Sequence, residues 1–293
     1  MKNKYLIFRN DRIGDLLVTA ILIKSIKKND STSDITLITS EKNHSYAINF
    51  PFIDNLVLLE NNFLSKLNLI LKLRKDDYSN IIIHDDKNRS KIISFFLNSK
   101  NKITLKEPEK FSHVENIKYI LKRMNFFFYD DSLNILSHKK YQSNENKTIQ
   151  LHFDEKWIHK NYIQKFINIE PNENELIDFI KKINEKSKLQ LIITTGSNIP
   201  NVLKNILPKV YDLNIRVYEK LNFSELEEIT SSSSHLISCH GAISHIASAN
   251  EIPQIDIIDK SYNYKRWTDH FRNYTSIYRE KFLDLSDKII QKL

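Results

Sequence analysis

Asp15 follows the first of only three glycines in the chain, where the apolar run Tyr5–Phe8 gives way to Ile13, Leu16, Leu17, Ala20, Ile23 and Ile26 at helical spacing. A carboxylate in the first turn of a helix meets free N–H groups and the positive end of the dipole, which favour its ionised form. It can serve as a general base, or simply stabilise its own helix by some tenths of a kcal/mol. A second cluster is HLISCHGAISHIASAN, where Gly241 opens a helix carrying Ser244 and His245, with His240 just before it. Backbone N–H groups at such a turn form an anion site. The two histidines stand at i and i+5 with no Glu beside them, which is not a zinc spacing. A third cluster is TIQLHFDEKWIHK, with His152, Asp154, Lys156 and Trp157. Lys156 is either a point charge for a phosphate or a surface lysine next to Glu155. Gly196 closes the run LIITT. The pair Asp85-Asp86 lacks the Asp-x-Asp spacing of a metal site and reads as a loop.

Short β-branched runs alternate with longer amphipathic stretches, and these elements must position the three clusters. Strands are expected at Tyr5–Phe8, Ile35–Ile38, Leu56–Leu59, Ile81–His84 and Ile103–Leu105, then at Thr148–Phe153, Leu189–Thr194, Ile215–Tyr218, Leu236–Cys239 and Ile255–Ile258. Helical patterns are expected around 15–28, 43–49, 63–75 and 88–98, then 173–186, 200–208, 224–231 and 243–250. Strands spaced by such helices imply βαβ units and a parallel sheet, twice over. The polar stretch 129–147 is the expected linker, between a domain at 1–140 and another at 146–293. Doubly wound domains bind ligands at the carboxyl ends of their strands, and all three glycines are expected there, in a cleft that the two domains face.

Composition limits the chemistry. The 293 residues are 41% hydrophobic and 27% charged, enough for real cores and too apolar for a disordered chain. Three glycines exclude collagen, P-loops and the dinucleotide fingerprint. The formal charge of +8 favours anionic partners, but no basic stripe interleaved with aromatics points to nucleic acid. A lone cysteine, Cys239, forms no internal disulfide or zinc site, and the start shows no signal peptide. The stretch Ile229–Asn250 lacks charges but is laced with Ser, His and Asn, which disqualifies it as a membrane span. A cytoplasmic protein is expected.

Taken in order, these segments resemble the bacterial heptosyltransferases of glycosyltransferase family nine. Arg9, Gly14, Asp15 and Thr19 match the family's opening strand, basic residue, Gly-Asp helix start and Thr. Lys156 and Trp157 resemble its Lys followed closely by Trp, and Gly196 its strand-ending glycine. The block LNFSELEEITSSSSHLISCHGAISHIASANEIP is similar to its closing helix, strand, turn, His and helix. The resemblance implies a GT-B fold, α/β with two Rossmann-like doubly wound domains, and an inverting, metal-independent transfer that needs no cofactor. The sugar, a heptose or a related one, would come from a nucleotide-diphosphate donor. It would go to lipopolysaccharide or another anionic glycolipid or surface glycan, with peripheral contact at the inner membrane. Asp15 matches the catalytic base, with Arg9 and Gly14 on the acceptor side. Lys156, Gly196, His240, Gly241, Ala242, Ser244 and His245 fall in the donor site. Two departures stand out: His240-Gly241-Ala242 replaces Asp-Ser/Thr-Gly, and Ile21 replaces a Pro. They leave open a nucleotide-sugar-binding protein without turnover, or a GT-B nucleotide-sugar epimerase.

Overall fold

The computed structural model describes residues 2–129, 148–158 and 165–293. The expected linker, apart from Tyr129, lies outside the described residues. The chain divides into two compact units, Met1–Lys139 with Lys265–His270, and Lys140–Tyr264 with Phe271–Leu293.

In the first unit, β1 (Lys4–Phe8), α1 (Ile13–Asn29), β2 (Asp34–Thr39), α2 (His44–Ala47), β3 (Asn55–Leu58), α3 (Phe63–Leu73), β4 (Asp77–Ile83), α4 (Asn88–Phe95), β5 (Asn98–Thr104) and α5 (His113–Arg123) follow in order. The strands form one parallel sheet in the order β3-β2-β1-β4-β5. Helix α1 is buried on every side from Leu16 to Ile23, because α5 packs against it. That is why a single apolar stripe understates its burial. Leu69 and Leu73 of α3, and Ile93 and Leu97 of and beside α4, pack over Leu6, Phe8, Ile81 and Ile83. Each such side chain contributes roughly 1.5–3 kcal/mol by leaving water.

The second unit runs β6 (Thr148–His152), a single 3-10 turn (Glu155–Trp157), α6 (Glu173–Ser187), β7 (Gln190–Thr194), α7 (Asn201–Asp212), β8 (Arg216–Tyr218), α8 (Phe223–Ser232), β9 (His235–Cys239), α9 (Ala242–Ala249) and β10 (Gln254–Ile258). After these come α10 (Lys265–Thr268), which groups with the first unit, β11 (Tyr274–Tyr278) and α11 (Phe282–Lys292). The second parallel sheet has the order β11-β10-β9-β6-β7-β8. Trp157 is fully buried at its core, its ring against Phe153, Phe179 and Phe282 and its indole N–H donated to His152 O at 2.9 Å. Trp157 is therefore a core anchor.

Strand order reverses between β1 and β4 in one sheet and between β6 and β9 in the other. Those strands are direct neighbours, with Phe8 opposite Ile83 and His152 opposite Ser238. At such a switch point the following loops part to opposite faces and leave a crevice for a ligand. The Gly14–Asp15 segment follows β1. The Lys156 segment follows β6, and Gly241 follows β9.

Candidate functional site

In the first unit the chain leaves β1 through Arg9, Asn10, Asp11 and Arg12 before entering α1. Arg9 is 1% exposed, an arginine deep in a protein interior. Its Nε donates to Asp15 O at 3.0 Å, and its Nη1 to His84 O, the first residue beyond β4. Its Nη2 lies 3.1 Å from Asp15 Oδ1, and Asp11 Oδ2 is 3.8 Å from Nη1. The planar fork thus ties the switch-point loops together and balances its charge on two carboxylates. Asp15 keeps about a quarter of its side chain in contact with solvent. Thr19, one turn further along α1, donates to Asp15 O at 3.2 Å, and its hydroxyl lies 2.8 Å from His84 Nδ1. Arg9, Gly14, Asp15 and Thr19 are therefore brought together.

Other members of this cluster have no local signal. Burial, and then the charge of Arg9, pushes the His84 imidazole far below its ordinary range. His113, at the start of α5, is pushed the same way by burial and Arg9, against the opposing pull of Asp15. The Nε2 atoms of both rings are buried without a hydrogen-bond partner. Asp11 is raised by burial, with Arg9 and Lys87 working against that shift and Asp15 adding to it. Asp85 is buried and accepts from Asn10 N (3.2 Å), Asn10 Nδ2 (2.8 Å) and Ser90 Oγ (2.7 Å). It shapes the loop after β1. Asp15 opens on a pocket of about 770 Å³, which Arg12, Lys42, Lys87 and Arg89 also line.

In the second unit three strand ends meet. Lys156 Nζ donates to Asp154 Oδ2, and His152 Nε2 is 3.3 Å from the same oxygen. Burial alone would raise the Asp154 carboxyl; the Lys156 ammonium and the His152 imidazole beside it outweigh that and hold the group far below the carboxylate range. Gly241 has extended backbone that any residue adopts, so its reason is space. A Cβ there would stand 3.0 Å from Lys156 Cε and Nζ. One at Gly196 would meet Glu155 Oε2 at 2.7 Å and Asp154 Cβ at 3.5 Å. Lys156 and Gly241 thus meet at the switch point between β6 and β9, and Gly196, just past β7, abuts the same turn after β6.

Beyond Gly241 lies a network centred on Asp256 of β10, which is wholly buried. His240 Nδ1 stands 2.6 Å from its Oδ2, Tyr274 OH donates to the same oxygen at 3.1 Å, and Ser244 Oγ donates to Oδ1 at 2.9 Å. The His240 ring lies 4.8 Å from Tyr264 and 5.9 Å from His245, and His245 meets Phe271 at 5.0 Å. Buried Arg279 donates to Lys156 O at 2.7 Å. Ser244 and His245 are buried, and Ala242 is the first residue of α9. Burial pushes the Cys239 thiol up to about 12. Among the described residues, no group of three or more His, Cys, Asp or Glu could hold a metal ion.

No protein-family model matches the sequence, and no curated protein is similar to it. Solved structures are similar in fold. A glycosyl transferase family 9 protein from Veillonella parvula aligns over 100% of this chain and 92% of its own, at 11% identity and a TM-score of 0.75. E. coli heptosyltransferase WaaC with ADP aligns over 99% and 100%, at 10% identity and 0.72. A putative UDP-N-acetylglucosamine 2-epimerase from Listeria monocytogenes aligns over 100% and 87%, at 11% identity and 0.59. The two parallel α/β sheets, each with its groups at a switch point, and this likeness along the whole chain identify the fold as GT-B.

Proposed function

We propose that the protein is an inverting glycosyltransferase moving a sugar, heptose or related, from a nucleotide-diphosphate donor to an anionic acceptor such as lipopolysaccharide or a surface glycan. The observation that carries this is Asp15, its carboxylate paired to buried Arg9 and open to a pocket that four cationic side chains line together with Asp11 and Glu41. An acceptor bearing phosphate or carboxylate groups suits those cations, and Asp15 takes the proton of its attacking hydroxyl. The hydroxyl oxygen bonds to the anomeric carbon as the bond to the diphosphate breaks, in one displacement that inverts the centre. Lys156, with the N–H groups that open α9, stabilises the charge gathering on the leaving diphosphate. Because Asp154 already shares the Lys156 ammonium, the helix N–H groups carry part of that load. No metal is assigned a part in this scheme.

A second reading, a nucleotide-sugar epimerase, is favoured by His240, whose Nδ1 is fixed on a buried carboxylate in the manner of an acid–base histidine. Nucleotide release from candidate donors, measured with and without a lipid-core acceptor, separates the two. Transfer requires release that rises with acceptor. An epimerase interconverts the sugar with no acceptor present, and a binding protein does neither.

A further inference from the structure

Helices α3 and α4 carry apolar side chains on two opposite faces. Their inner faces fill the core of the first unit. The outer face of α3 presents Phe63 (73% exposed), Leu64 (71%), Leu67 (42%) and Leu71 (62%). At 3.6 residues per turn these four lie within an arc of about 100°. Ile92 (59%), Phe95 (76%) and Phe96 (51%) form a matching stripe on and just beyond α4, with the two phenyl rings edge to face at 5.4 Å. Both helices pack on the same core, and Arg89 Nη1 donates to Asn61 Oδ1 at 3.3 Å, joining their N-terminal ends. The stripes therefore share one side of the sheet. Single exposed leucines are ordinary; seven large apolar side chains on two neighbouring helices are not.

Basic side chains predominate around this face. The two helices hold Lys66, Lys72, Arg89 and Lys91 and no carboxylate. The adjoining edge strand β5 adds Lys100 and Lys102, with Lys102 donating to Phe95 O at 3.2 Å. Of the acids flanking the two helices, Glu60 accepts from Ser65, Asp86 pairs with Lys91 and Asp76 pairs with Lys4. Two such basic faces repel each other, which disfavours a second copy of this chain as the occupant. Phe and Leu tips flanked by lysines are the pattern of a surface that enters the headgroup boundary of an anionic bilayer. No helix among the described residues is long and apolar enough to cross a membrane.

We propose that the outer face of α3 and α4 docks on anionic lipid, with the aromatic and leucyl tips inserted and the lysines at lipid phosphates. The proposal does not depend on the transferase reading. The test is sedimentation of the full chain with vesicles of phosphatidylcholine alone, and with about a third of phosphatidylglycerol. Binding is expected to the anionic vesicles and to weaken with salt. The variants F63S/L67S and F95S should each lower the partition coefficient at least about tenfold, with unchanged circular dichroism because these side chains lie in solvent. Leu283→Ser, on an exposed position of α11, should bind as wild type. Three results would each overturn the proposal: no preference for anionic vesicles, partition of F63S/L67S within about twofold of wild type, or a dimer in sedimentation velocity that F63S/L67S dissociates. None of these readouts uses donor or acceptor, so loss of the transferase reading would leave them unchanged.

Discussion

Arg9 is buried, and its charge is balanced by Asp15 at 3.1 Å and Asp11 at 3.8 Å. Asp15→Asn thus removes more than a first-turn carboxylate. The guanidinium keeps its carbonyl acceptors but loses its nearer counter-charge. We expect a stability loss of about 1–3 kcal/mol in urea titration, above the few tenths of a simple dipole contact. Transfer should slow by about 10²–10⁴-fold with donor affinity nearly unchanged. Turnover within about threefold of wild type on a verified acceptor would remove Asp15 from the chemistry. Lys156 calls for a different design. Lys156→Ala strands the buried Asp154 carboxylate and should cost about 3 kcal/mol in stability. The pair Lys156→Met with Asp154→Asn removes both charges and should recover most of that loss. In calorimetry it should still bind a nucleoside diphosphate more weakly by about 1.5–3 kcal/mol. Affinity equal to wild type would return Lys156 to a structural role. These residues were legible because each stands just past a strand, where an open parallel sheet binds its ligands. Their partners Arg9 and Asp154 were legible with them, being close in sequence; the long-range partners around them were not. His84 meets Thr19 across 65 positions and Asp256 meets His240 across 16, so only the sheet order joins them.

Helix α5 brings His113 against the Arg9 cluster, β4 delivers His84, and α10 is followed by His270, whose imidazole burial lowers to about 4. In the unfolded chain each histidine binds a proton near pH 6.5, whereas in the fold each resists protonation until well below that value. As pH falls through about 6.5 the unfolded state gains protons that the folded state refuses, so stability declines from there downward. Asp154 acts in another window: its lowered value stabilises the fold above about pH 4, and that contribution is lost only in stronger acid. Melting temperature should therefore be flat between about pH 7 and 8 and fall between about 6.5 and 4. His113→Gln should flatten part of that fall, and an unchanged profile would exclude His113 as a source. At this scale most strands and helices could be read from period, because buried parallel strands are short apolar runs. The polar first part of β5 could not, since an exposed edge strand such as NSKNK needs no apolar face. Helix α5 was missed although Ser112 and Glu115 form a reciprocal capping box at 3.2 and 2.6 Å, a signature visible as S-x-x-E. Strand β11 and helix α11 are not among the elements expected from the sequence.

For the whole molecule, a donor that binds the folded second unit and not the unfolded chain must raise the melting temperature by mass action. At a hundredfold excess over its dissociation constant the gain is about 2.7 kcal/mol, roughly 5–10 °C for a chain of this size. A thermal-shift screen of nucleoside diphosphates should thus single out one base, and equal shifts with all of them would count against a specific donor site. Alternation of strands and helices made the two-sheet architecture legible, whereas it gave no sign that Lys265–His270 belongs with the first unit. There Arg266 Nη1 donates to Glu109 Oε2 at 2.9 Å, Ser112 Oγ to Asp269 Oδ2 at 3.3 Å, and Trp267 faces His113 at 5.7 Å. Because six residues from the late chain complete the early unit, one peptide-bond cut cannot yield two intact halves. A fragment ending in the linker would have an open seam at the start of α5. Its complement would carry Trp267 with no surface of its own to cover it.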